Sequence, residues 1–163
     1  MSLHVIDIRS SFPRKTRPRQ RPDSAIRRIV VHHDAAPPPK DGAEVGCLLA
    51  YHKEHQAKRW GGIGYHYAIA RRGTVYKLNP ATSVTAHARG GSRDGLGVML
   101  MGDFTHHPPS QAQLESLTAL AAELVLNYKN ITAMVGHRRV SGSRTACPGD
   151  SFTDAMIAAC WPA

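Results

Sequence analysis

Ile29-Val30-Val31-His32-His33-Asp34 decides the fold class. Its first three residues are a continuous apolar, β-branched run, the pattern of a strand buried on both faces. Such a strand needs helices on both sides of its sheet. The run stops at two histidines and an aspartate, so polar side chains emerge together at its C-terminal edge.

Other segments share this character. Gly97-Val98-Met99-Leu100-Met101-Gly102 reads as a second buried strand bounded by glycines. Tyr65–Ala70 and Thr74–Leu78 read as a hairpin turning at Arg71-Arg72-Gly73. Ala133-Met134-Val135 is a last short strand. A helix is expected from about residue 41 to 56, with Asp41 and Glu44 at capping-box spacing and Val45, Leu48, Leu49 and His52 following. Ser110 and Gln113 repeat that spacing ahead of the stripe Leu114, Leu117, Leu120, Ala121 and Leu124. A C-terminal helix beginning near Ser151 turns Phe152, Met156, Ile157 and Cys160 inward. Strands and helices alternate, which predicts an α/β fold: one domain, a mixed central β-sheet, and helices on both faces. A chain of 163 residues suits one domain. No apolar run approaches the roughly 20 residues that span a bilayer.

Charge is unevenly distributed. Between Arg9 and Arg28 lie eight basic residues against the single acid Asp23, which is +7 of the net +9. That stretch also holds three prolines and no helical or strand period. It reads as a basic extended arm, residues 1–28, with residues 29–163 as the folded domain. Its cations Arg9, Arg14, Lys15, Arg17, Arg19 and Arg21 suit an anionic cell-wall or membrane surface. The near-neutral remainder and the lack of any recognised binding motif argue against nucleic acid. Nothing in the pattern suggests an obligate interface, so a monomer is expected.

The chemistry-bearing stretch is Gly136-His137-Arg138-Arg139-Val140, running to Thr145-Ala146-Cys147-Pro148-Gly149. It sets a histidine and a cysteine in one Gly/Ser/Pro-rich loop. Imidazole nitrogen and thiolate sulfur are favoured zinc donors, and a catalytic zinc takes three protein ligands and keeps one position open. The third donor is best supplied by the histidines that end the first strand, which places a zinc site at the strand ends. Alone, His137 would read as a loop residue and Cys147 as a buried thiol. His52 and His55 are also three apart, but on an expected polar helix face they read as solvated. The remaining cysteines, Cys47 and Cys160, make no disulfide framework and read as small buried residues.

Four motifs now stand in order: Val-Val-His-His, Gly-Tyr-His-Tyr, Gly-His-Arg and Thr-Ala-Cys-Pro-Gly. Residues 29 to about 160 resemble the zinc-dependent N-acetylmuramoyl-L-alanine amidases of the T7 lysozyme and peptidoglycan recognition protein type. The resemblance implies one Zn²⁺ held by His32, His137 and Cys147. It implies Tyr65 as the catalytic tyrosine, and Thr145 where catalytic members carry Lys or Thr. Trp60 and His87 fall where the substrate groove is lined. Some cytoplasmic relatives carry Asp in place of Cys147 and a Glu in the strand that here has Met99, so no carboxylate base is expected.

The implied activity is hydrolysis of the amide between N-acetylmuramic acid and L-alanine in peptidoglycan, as a phage or prophage endolysin. The alternative is a non-catalytic peptidoglycan-binding module. The start Met1-Ser2-Leu3-His4-Val5-Ile6-Asp7 has no signal-peptide pattern. Synthesis in a host cytoplasm, with action on the wall after release, is therefore expected.

Overall fold

The first strand predicted from sequence is the middle of a parallel trio. In the computed structural model, which describes residues 3–162, β2 (Arg28–His33) pairs in parallel with β5 (Gly95–Leu100) and with β6 (Ala133–Gly136). β3 (Tyr67–Ile69) joins β5 in parallel and forms the expected hairpin with β4 (Val75–Lys77). β1 (Val5–Asp7) closes the far edge, giving the order β1-β4-β3-β5-β2-β6. The sheet is mixed, with β3–β4 its antiparallel pair.

Strand alternation sorts side chains onto two faces. Ile29 and Val31 pack with Leu117, Leu120 and Leu124 of α2 (Gln111–Asn127) and Ile157 of α3 (Asp154–Ala159). On the opposite face, Ala68 and Met99 pack with Leu48 of α1 (Glu44–Ala57). Helices cover both faces, as the sequence predicted. The Ser110–Gln113 capping box is formed, with both reciprocal bonds at 3.1 Å. The one expected at Asp41 and Glu44 is not. α1 starts without a side-chain cap, and Asp41 instead pairs with Arg72 at 2.7 Å.

The basic arm is the main correction. Residues 3–28 are packed on the domain; Met1 and Ser2 lie outside the described residues. β1 is a strand of the sheet, and Phe12 and Ile26 are core residues. Two of the arginines, Arg14 and Arg21, do not need solvent because they find carbonyl oxygens. Arg21, only 7% exposed, donates to Ala81 O, Ser92 O and Arg93 O at 2.9 to 3.1 Å. Arg14 donates to Trp60 O, Ile63 O and Asn79 Oδ1 at 2.8 to 3.1 Å. Arg9 pairs with Asp7 at 2.6 Å. Of the six cations assigned to an anionic surface, Arg9, Arg14 and Arg21 are thus engaged within the chain, while Lys15, Arg17 and Arg19 are exposed.

Candidate active site

Strand register brings the first two donors together. In the β2–β6 pairing Val31 lies opposite Gly136, so the next residue on each strand is a histidine at the C-terminal edge. The His32 and His137 rings stand 4.7 Å apart. The loop after β6 then returns Cys147, whose Sγ is 3.7 Å from His32 Nδ1. The ligand atoms of His32, His137 and Cys147 all lie within 4.8 Å of one another.

Burial sets the protonation states. It holds the His32 imidazole well below the ordinary histidine range, with His87 and His137 adding to the push, and it lowers His137 too. Both rings are therefore neutral and carry lone pairs near pH 7. Burial pushes the Cys147 thiol up to about 11, an effect that a bound divalent cation reverses by coordinating the thiolate. Two imidazole nitrogens and one sulfur, converging from separate elements, fit a zinc ion with one position left open.

Around the three donors is a cavity of about 400 Å³ lined by Tyr65, Thr145, Trp60 and His87 among others. The Tyr65 ring sits edge-on to His32 at 5.2 Å, and burial raises its hydroxyl above the ordinary phenol range, so it stays protonated as a donor. Thr145 Oγ1 accepts the Cys147 N–H at 3.1 Å, which leaves the hydroxyl proton free to donate. Trp60, 39% exposed, lies against His55 at 4.6 Å and forms a wall. Met99 is the register partner of His32 and fully buried, so no carboxylate stands there. A groove of about 840 Å³ continues outward and shares Trp60, His137 and Thr145 with the cavity; Arg89 and Arg144 line it.

Other histidines differ from expectation. His52 and His55 are buried, not solvated. Their Nδ1 atoms accept the N–H groups of Ile63 and Gly64, each at 3.0 Å, holding the loop that leads to Tyr65. His87 touches the cavity, but both its nitrogens already have partners within the chain, His32 and the Gly95 carbonyl. Asp34, Tyr51 and Glu54 also line the cavity. Asp34 sits two residues past His32, and its place beside the strand-end histidines was the available sign.

The profile of the N-acetylmuramoyl-L-alanine amidase family matches residues 22–150. The chain belongs to this family. It is 31% identical over 144 residues to the N-acetylmuramoyl-L-alanine amidase of Homo sapiens, covering 82% of this chain and 24% of that protein. It spans about a quarter of the length of such mammalian relatives. It is 30% identical over 121 residues to the endolysin of Escherichia phage T7, covering 71% of this chain and 76% of the endolysin. The solved structure of the amidase LysC from Clostridium intestinale URNW superposes with a TM-score of 0.76 at 27% identity, covering 97% of each chain. Peptidoglycan recognition protein SD of Drosophila shares the fold, with a TM-score of 0.83 at 22% identity over 96% of this chain and 94% of that one.

Proposed function

We propose that this chain hydrolyses the amide between the lactyl carbonyl of N-acetylmuramic acid and L-alanine in peptidoglycan, as an endolysin with one Zn²⁺. The observation that carries this is the convergence of His32, His137 and Cys147 with Tyr65 and Thr145 on one cavity that opens into a groove. Zinc held by these donors would lower the pKa of a water and polarise the scissile carbonyl. Tyr65 donates a hydrogen bond to the oxygen on which charge develops, and Thr145 donates from the opposite strand-end loop. Trp60 offers an aromatic wall to the sugar or stem peptide. The exposed Lys15, Arg17 and Arg19 favour association with an anionic wall surface.

The family membership and the likeness to phage endolysins support this reading. The second reading, a module that binds peptidoglycan without cutting it, draws on the fold shared with peptidoglycan recognition proteins; the retained cysteine ligand weighs against it. Digestion of purified sacculi by zinc-loaded protein separates them. New L-alanine amino termini with intact glycan strands, identified by mass spectrometry, are expected. Binding without new ends supports the module, and new reducing sugars overturn the amidase reading.

A further inference from the structure

Gly95-Leu96-Gly97 is an unusual interior for a strand whose every residue is buried, because glycine there weakens a strand and packs nothing. Close approach explains it. A Cβ on Gly97 would meet His87 Cγ at 2.6 Å and His87 Cβ and Cδ2 at 3.0 Å. One on Gly95 would collide first with Gly91 O and then with Val30 Cγ2 at 2.9 Å, with His87 Cε1 at an ordinary 3.4 Å. The imidazole of His87 lies against β5 in a seat that Gly97 leaves open.

Its partners dictate the direction of its hydrogen bonds. His87 Nε2 faces the Gly95 carbonyl oxygen at 3.2 Å. A carbonyl only accepts, so this nitrogen carries the proton and His87 Nδ1 is an acceptor. That acceptor lies 3.1 Å from His32 Nε2, which must therefore be the protonated nitrogen of His32. His32 Nδ1 is left with its lone pair, and this is the atom that faces Cys147 Sγ at 3.7 Å. Each proton is placed by the one before it, and the series starts at a backbone atom of the sheet.

We propose that His87 is a positioning residue: seated on Gly97 and bonded to the Gly95 carbonyl, it holds His32 in the Nε2-protonated tautomer and aims Nδ1 at the metal position. The inference rests on the zinc reading above. Partners of this kind fix the ring and tautomer of a ligating histidine, and their loss typically costs about 10- to 100-fold in metal affinity. His87 lines the cavity and the groove, but neither ring nitrogen is left to hydrogen-bond a ligand there.

The test is zinc affinity, read by competition with a chromophoric chelator, for the wild type, His87→Phe and His87→Asn. Asparagine can present an acceptor oxygen close to the position of Nδ1; phenylalanine keeps ring volume without one. Affinity should fall about 10- to 100-fold in His87→Phe and recover within about tenfold of wild type in His87→Asn. A folded His87→Phe chain with wild-type zinc affinity overturns the proposal. A wild type that binds no zinc instead overturns the zinc reading. Nitrogen-15 NMR of the His32 ring in the metal-free wild type needs no variant: Nε2–H supports the assignment, and Nδ1–H overturns it.

Discussion

The backbone N–H of Arg138 donates to the carbonyl of Cys147 at 2.8 Å, so the residue after one candidate metal donor, His137, is bonded directly to another. The Arg138 side chain strengthens this tie. Its guanidinium donates to the carbonyls of Ala146, Gly149 and Phe152 and pairs with Asp154. The cysteine loop is thus pinned to the start of α3. Arg138→Met should leave all three donors present and lower zinc affinity on the order of tenfold, measured by chelator competition. Unchanged affinity would mean that the backbone bond alone holds the loop.

Metal content gives the second expectation. One zinc per chain should copurify, and removal by a chelator should abolish turnover until Zn²⁺ is restored. Cys147→Ser exchanges a soft donor for a hard, protonated one. Its affinity loss should exceed the roughly 100-fold that an outer hydrogen bond costs. Metal analysis of the purified variant is the check.

Tyr65→Phe keeps the ring against His32 and removes only the hydroxyl. Zinc content should not change, while turnover falls on the order of a hundredfold. Full activity in this variant would take Tyr65 out of the mechanism.

The packed N-terminal segment gives a stability prediction. Phe12 is buried on the α1 side of the sheet, and replacing a buried Phe by Ala costs about 3–5 kcal/mol. In a chain of this size that lowers Tm by roughly 10 °C. Deleting residues 1–24 removes Phe12, Arg14 and Arg21 together. The truncated chain should lose both thermal stability and activity on a soluble muropeptide. A truncation that keeps both would restore the picture of a detachable arm.

Acid sensitivity follows from buried neutral histidines. Burial lowers His55 to about 4, and lowers His52 and His66 as well. An unfolded histidine titrates near 6.5. Below that pH the unfolded chain takes up protons that the folded chain refuses, so stability falls as pH drops from about 6.5 toward 4. Thermal melts of metal-free protein across this range should show a steady fall in Tm; a flat profile would mean these rings are protonated in the fold.

The sheet, its two covered faces, and a His137–Cys147 pair awaiting a strand-end histidine were legible because each rests on a local pattern: an apolar run, a capping box, or donors in one loop. The choice of His32 over His33 came from the family resemblance. The interactions that were not legible have a common form. Arg14 and Arg21 bond to backbone carbonyls, His52 and His55 accept backbone N–H groups, and His87 is anchored to the carbonyl of Gly95. No side-chain type marks a backbone partner, and for Arg14 and Arg21 those partners also lie far along the chain. A run of prolines and arginines therefore looked wholly solvated when Arg14 and Arg21 in it were internally satisfied. Gly97 of β5 was visible, but without the fold nothing said which ring it accommodates.

The pairing of β2 also governs how this molecule comes into being. Residues 28–33 take their neighbours from residues 95–100 and 133–136, so both partners of the central strand arrive late. Contacts closed over such long loops make folding slow, because the entropy of closure is spent before any pairing rewards it. A chain still emerging from the ribosome has β2 but lacks β6, His137 and Cys147. It lacks two of the three donors of the candidate metal site, so a nascent or C-terminally clipped chain cannot assemble that site.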